Sequence, residues 1–295
     1  MSEPRTLSSS GVFAGALLPL RVMRIPAHGS GPVQHRHEFS ELVVILGGSG
    51  KHRVGGEVYR IETGDVFVIL GDTSHGYPEA EDLYLVNILY DPVRLGLPLA
   101  DIGGLAGYHA LFELEPKLRR NQRFRNRLRL SADQLAHVTQ LIAELEEELN
   151  GERHGRYYLA TAHLMRLIGY LSRAYAQIEE DEVRPVTQIS KLLGHLERHC
   201  REPLRIGDLT RIAGMSQTSL MRHFGQVMGH SPIEHLIQLR IGAAKKLLRQ
   251  TDLPITSIAL EVGFCDGNYL ARQFRRVVGV SPREYRQERG GSRRG

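Results

Sequence analysis

The chain contains no tryptophan and only two cysteines, Cys200 and Cys265, in 295 residues. So few thiols exclude a disulfide framework, and they fit a reducing compartment. No apolar run approaches the ~20 residues that a membrane-spanning helix requires. The early stretch GVFAGALLPL is short, contains Pro19 and has no basic flank beyond Arg5, so it reads as the approach to a first strand and not as a secretory signal. A cytoplasmic protein without a membrane partner is therefore expected. At 41% hydrophobic and 24% charged residues, the length suffices for two domains, each with its own core.

An excess of one charge sign is nearly absent overall, with a formal net charge of +5, but the two halves differ. From Arg184 onward there are 19 Lys and Arg against 9 Asp and Glu, a balance of +10. The first 183 residues hold 19 against 24, a balance of −5. A basic half joined to a mildly acidic one suggests that only the second meets a polyanion, although a solvated basic face would look the same.

Residues 20–90 read as short strands. ELVVIL, GDVFVIL and LYLVNILY are β-rich runs bounded by Gly, Asp and Pro, and Gly55-Gly56 lies between two strand-like flanks as a two-residue hairpin. Closely spaced short strands imply an antiparallel sandwich or barrel. Residues 91–130 show no regular pattern. At Ser131 the period changes, with Gln134 placed to return to the serine as a capping box. Leu135, Val138, Ile142, Leu145 and Leu149 form one helical seam, and Leu164, Ile168, Leu171, Tyr175 and Ile178 a second. Either seam could be buried in its own domain or against a second subunit, as in a coiled coil. EEDEVRP, residues 179–185, reads as the linker.

Beyond Pro185 the pattern is helical and repeats. SLMRHFGQVMGHSPIEHL (219–236) aligns with YLARQFRRVVGVSPREYR (269–286) at a constant offset of 50. Each copy ends in S-P-x-E, which supplies a serine N-cap, proline at the first helical position and a glutamate to complete the capping box. Gly229 and Gly279 suit the left-handed stop before it. Each copy follows a short helix and a tight turn, at Gly214 with Ser216 as cap and at Gly263 with Asp266 as cap. A generic helical hairpin would also read this way. Duplication, basic charge and polar starts to the second helices favour a double helix-turn-helix that binds DNA. On the first reading helix the outward residues are Gln217, Thr218, Met221 and Arg222; on the second they are Asn268, Arg272 and Arg275, with Gly267 and Ala271 too small to reach bases by hydrogen bonding. The connecting helix should set the two readers about one DNA turn, roughly 34 Å, apart.

RIGAAKKLLRQTDLPITSIALEVGFCDGNYLARQFRRVVGVSPREYR, residues 240–286, resembles the AraC-type bacterial transcription regulators. Arg240, Ala244, Pro254-Ile255, Gly263-Phe264, Phe274, Gly279 and Ser281-Pro282 all fall on that family's pattern, while Thr210 and Leu270 depart from it without removing a polar contact. The resemblance implies an activator more than a repressor, with a homodimer and RNA polymerase as partners beside double-stranded DNA.

One stretch stands apart. In GSGPVQHRHEFSELVVILGG, His35, His37 and Glu41 share odd parity with Phe39, Val43 and Ile45. On an extended chain they point to one side. The spacing from Gly29 to Gly48 resembles the first motif of the cupin barrels, and Gly64 and His75 fit part of the second, where Leu70, Asp72 and Glu79 depart from it. In metal-binding cupins His35, His37, Glu41 and His75 would be the ligands of a divalent ion. The same residues could instead bind a small polar effector, or satisfy one another in a polar core. The barrel stretch also looks like the regulators of L-rhamnose use. His195 and His199 lie four apart on a helix, where a solvated face explains them better than zinc does.

The expectation is thus an α+β protein of two domains. Residues 1–180 form a cupin-like antiparallel β-barrel that binds a small effector, followed by a helical pair that could dimerise. Residues 185–288 form an all-α double helix-turn-helix. The competing class is a metal-dependent cupin enzyme, but no second catalytic group is marked.

Overall fold

The computed structural model describes residues 5–26, 29, 34–98, 102–120, 128–177 and 184–291. By contact the chain divides into two compact units, Met1–Ser190 and Lys191–Gly295. The arginine-rich run 121–127 and most of the linker lie outside the described residues.

The first unit is built on one eight-stranded sheet. Its strands are β1 (Arg5–Leu7), β2 (Leu20–Ile25), β3 (His35–His37), β4 (Ser40–Val54), β5 (Glu57–Glu62), β6 (Asp65–Ile69), β7 (His75–Tyr90) and β8 (Leu128–Arg129), in the order β1-β3-β7-β4-β6-β8, with β2 also on β7 and β5 also on β4. The pairings are antiparallel except β1 with β3. Gly55 and Gly56 form the two-residue link between Val54 and its partner Glu57, as their spacing predicts.

The long strand β4 does not keep one parity. Its register with β7 shifts between Ile45 and Gly47, between Gly47 and Ser49, and between Lys51 and Arg53. Gly48 sits at φ 73°, and a Cβ there would lie 2.2 Å from the Asp82 carbonyl oxygen, so only glycine fits the kink. Odd residues Val43 and Ile45 join Ile61, Phe67, Ile69, Tyr77, Leu83 and Leu85 in the core before the kinks. Beyond the first two shifts the even residues His52 and Val54 are the buried ones.

The described residues of 91–120, a stretch whose sequence showed no regular pattern, are largely helical. After α1 (Ser9–Val12) and α2 (Pro92–Leu95), α3 (Ala106–Tyr108) runs through a π-helical turn, His109–Leu114, into α4 (Glu115–Arg120). Leu111, Leu114 and Leu118 are buried at helical spacing, and buried polar groups pin the segment as well. His109 bonds the Gly103 carbonyl through Nε2 at 2.6 Å, and the buried Glu115 accepts the Tyr175 hydroxyl at 2.7 Å. Then come α5 (Ala132–Asn150), with the Ser131–Gln134 capping box, and α6 (Arg156–Tyr175). Val138, Ile142 and Leu145 of one seam and Leu164, Ile168, Leu171 and Tyr175 of the other are buried within this unit. The exposed apolar residues of α6 are Tyr158, Leu159 and Met165, away from that seam.

Helix α7 (Arg184–His199) leads into the second unit, which continues with α8 (Ile206–Ala213), α9 (Gln217–Met228), α10 (Pro232–Gln250), α11 (Ile255–Glu261), α12 (Gly267–Val278) and α13 (Pro282–Gly291). The caps read from the repeat are present. Ser231 and Glu234 form a reciprocal capping box, and Ser281 and Glu284 repeat it. Gly229 and Gly279 end α9 and α12 in the left-handed region. Ile237, Ile241, Ala244 and Leu248 of α10 share a core with Ile258, Leu270 and Phe274 of the second helix-turn-helix. Arg240, on the same helix, donates to the carbonyls of Cys200 and Glu202, both at 2.7 Å, and so satisfies the chain end that follows α7.

Gly263 sits in a tighter turn than Gly229 or Gly279. At φ 93°, a Cβ would lie 2.6 Å from the Arg201 carbonyl oxygen, whereas at Gly229, φ 75°, nothing lies within 4 Å. Gly229→Ala should therefore cost about 1 kcal/mol of left-handed strain alone, and Gly263→Ala about 3 kcal/mol, because backbone must also move. Thermal unfolding of the two variants measures the difference; equal losses would contradict it.

Candidate functional site

Glu41 is 2% exposed at the start of β4, beside equally buried His37 and His75. The His37 Nε2 lies 3.0 Å and the His75 Nε2 3.4 Å from the same carboxylate oxygen, Glu41 Oε2. The far nitrogen of each ring is already engaged: His37 Nδ1 lies 2.6 Å from the Phe39 carbonyl and His75 Nδ1 3.1 Å from the Thr73 carbonyl. A carbonyl only accepts, so both Nδ1 atoms carry protons. In a neutral ring Nε2 is then a bare lone pair, aimed here toward a carboxylate. Both Nε2 atoms approach Glu41 at ionic distance, yet neither makes a hydrogen bond of acceptable geometry. Burial raises the Glu41 carboxyl, but when both rings also carry a proton at Nε2, their hydrogen bonds and charge outweigh it and hold the group well below the usual carboxylate range.

Such an arrangement suits a cation. Ligand histidines usually donate the second ring nitrogen to a carbonyl, which fixes the tautomer and turns the lone pair inward. Imidazole nitrogen and carboxylate oxygen together match a divalent transition ion. Single ligand atoms of His35, Glu41 and His75 lie within 4.8 Å of one another. His37 touches Glu41 but stands outside that group of three. Of the four residues read from the sequence, three thus share one centre and the fourth braces it.

Two neighbours escaped the sequence reading. His52 stacks between Phe67 and Tyr77, with ring centroids at 4.7 and 4.9 Å, and lies 5.8 Å from the His75 ring. Tyr77 is buried, and burial, with the Glu41 charge, pushes its hydroxyl well above the ordinary tyrosine range. The signal for His52 was Gly47-Gly48, because a bulge inverts parity and turns an even residue inward.

The second constellation lies on α9 and α12. Ser216 caps α9 by accepting from the Ser219 amide, and Asp266 caps α12 by accepting from the Tyr269 amide at 2.7 Å. Leu220, Phe224, Leu270 and Phe274 are fully buried and fix the rotation of both helices. Gln217, Thr218, Met221 and Arg222 are then exposed on α9, and Asn268, Arg272 and Arg275 on α12. Arg272 lies over the Tyr269 ring, 5.1 Å from its centroid, which limits where its guanidinium can go. Gly267 is small because a Cβ there would be 3.1 Å from the Thr256 methyl; its size lets α12 start against α11. His195 and His199 stack at 4.3 Å, and His199 pairs with Glu202. Among the described residues they belong to no metal-ligand group.

Residues 23–168 match the family described as the AraC-like ligand binding domain, and residues 209–288 match a helix-turn-helix domain family. The chain is 31% identical over 258 residues to the HTH-type transcriptional activator RhaR of Escherichia coli, with 86% of each chain covered. Among solved structures, an AraC-type transcriptional regulator from Chromobacterium violaceum is 31% identical, covering 35% of this chain and 91% of its own, with a TM-score of 0.33. The DNA-binding domain of AdpA, solved in complex with a target DNA, is 29% identical, covering 37% of this chain and 97% of its own, with a TM-score of 0.34.

Proposed function

Because the chain belongs to the AraC family of transcription regulators, we propose that it activates transcription from a specific DNA site when a small polar effector enters its sheet domain. It is a regulator and not an enzyme, so the competing expectation of a cupin enzyme falls away. The observation that carries the effector reading is the pair of buried Nε2 atoms turned toward Glu41 without a hydrogen bond. The cluster of His35, His37, Glu41 and His75 holds the effector, a sugar such as L-rhamnose, and a divalent transition ion at Glu41, His75 and His35 completes it. When bound, such an ion supplies positive charge that attracts the oxygens of a polyol. An effector acts only by favouring one of two states, so the cluster must bind it more tightly in the active one.

On the DNA side, Arg222 and Arg272 read bases in the major groove, assisted by Gln217, Thr218 and Asn268. Arg275, a turn further along, adds phosphate attraction. RNA polymerase is the partner in activation, and the cytoplasm the place. A homodimer fits the same reading. Its contact would use the outward side of α6 near Tyr158, Leu159 and Met165, since the central residues of both apolar seams are already buried.

Binding-site selection with the full chain tests the readers. Arg222→Ala and Arg272→Ala should each cost about 1–3 kcal/mol and relax preference at one position. If both weaken all sequences equally, the arginines hold phosphates instead. Metal analysis of the full chain after equilibration with Ni²⁺ or Zn²⁺ tests the ion. About one tightly held ion per chain is expected, with marked loss in Glu41→Gln and His75→Ala; retention in both variants, or no binding by the parent, would remove the ion from this site.

A further inference from the structure

The outward strips of α9 and α12 differ most in the apolar reach of their central side chain. At the offset of 50 that relates the repeats, Thr218, Met221, Arg222 and Gly225 of α9 match Asn268, Ala271, Arg272 and Arg275 of α12. Both sets lie at steps of three, four and seven, opposite the buried Leu220–Phe224 and Leu270–Phe274 pairs, so they form the outward strips. The α12 strip is polar, with a small half-buried alanine at its centre. In the α9 strip the same position holds Met221, a long apolar side chain that is 41% exposed.

Solvent exposure of that much thioether has a physical cost, which binding can recover only by burying it against apolar surface. The major groove offers little. Base edges there are hydrogen-bond donors and acceptors, and the apolar feature among them is the thymine 5-methyl group. A methionine is long enough to reach a base edge and flexible enough to settle on a methyl group. Thr218, one turn earlier on the same strip, adds a second methyl-bearing side chain. We infer that Met221 reads the 5-methyl group of a thymine beside the base contacted by Arg222. This inference rests on the proposed DNA reading and deepens it: the first reader combines a methyl contact with an arginine contact, whereas the second relies on polar contacts alone. Ala271 cannot substitute, because its single methyl stays close to the helix axis.

The test uses the duplex that the full-length chain selects, with its thymines replaced one at a time by deoxyuridine, which removes only the methyl group. Burying one methyl group is worth about fourfold in affinity. The parent chain should lose about that factor at one thymine in the half-site under the first reader. Met221→Ala should bind the thymine duplex about as weakly as the parent binds the uracil one, and should then be indifferent to the replacement. Met221→Leu, which keeps apolar volume, should stay sensitive, and this guards against a variant that merely folds poorly. If the selected site contains no thymine whose methyl matters, or if Met221→Ala remains as sensitive as the parent, the inference is overturned while the DNA reading stands. A chain that binds every duplex alike would overturn both.

Discussion

A carboxylate sealed inside a protein must be met by positive charge or by donors, and Glu41 is sealed. The elements around it are arranged to meet that need. The bend at Glu38 and Phe39 brings His37 back onto Glu41, and the start of β7 delivers His75 from the other side. Backbone carbonyls of Phe39 and Thr73 lock both rings so that the same nitrogen of each faces the carboxylate. Around this centre the sheet supplies an apolar wall with His52 and Tyr77 set into it. Both Nε2 atoms lie at ionic distance from the carboxylate without a hydrogen bond of good geometry, and that is the opening the proposed effector and ion would use.

The sequence made this centre legible through a simple rule. Alternation placed His35, His37 and Glu41 on one side of a strand, and His75 stood at the start of another strand-like run. The rule failed where the backbone broke it. Beyond Gly47 and Gly48 the inward parity changes from odd to even, so His52 is hidden from a reading that counts by twos. Residues 106–120 were opaque for another reason. Only Leu111, Leu114 and Leu118 mark an apolar face, a turn of π-helix interrupts the 3.6-residue period around them, and His109, Glu115 and the Tyr175 hydroxyl supply the remaining anchors. The seams of α5 and α6 were visible as seams, but their destination was not, because an apolar stripe does not say which surface covers it.

The DNA-binding half was more transparent because duplication checks each position twice. Caps, stops and core residues recur at the offset of 50, and the structure holds them in the same roles. Where the copies differ, the difference carries information. Gly225 against Arg275 and Met221 against Ala271 change the strips turned outward without touching the helices' packing. Arg240 and Gly263 both meet the chain after α7, the first through hydrogen bonds to Cys200 and Glu202 and the second through close approach to Arg201. The second helix-turn-helix is thereby held to the start of the domain and not only to its own partner helix.

Glu41 and its histidines are the proposed place where the effector acts, and α9 and α12 are the proposed DNA contacts. The direct measurement is transcription from the selected DNA site in cells, for the parent and for His37→Ala at matched protein levels, across a panel of sugars that includes L-rhamnose. One compound should induce the parent, and His37→Ala should occupy the DNA site with unchanged affinity but respond weakly. An undiminished response to that compound would contradict the proposal.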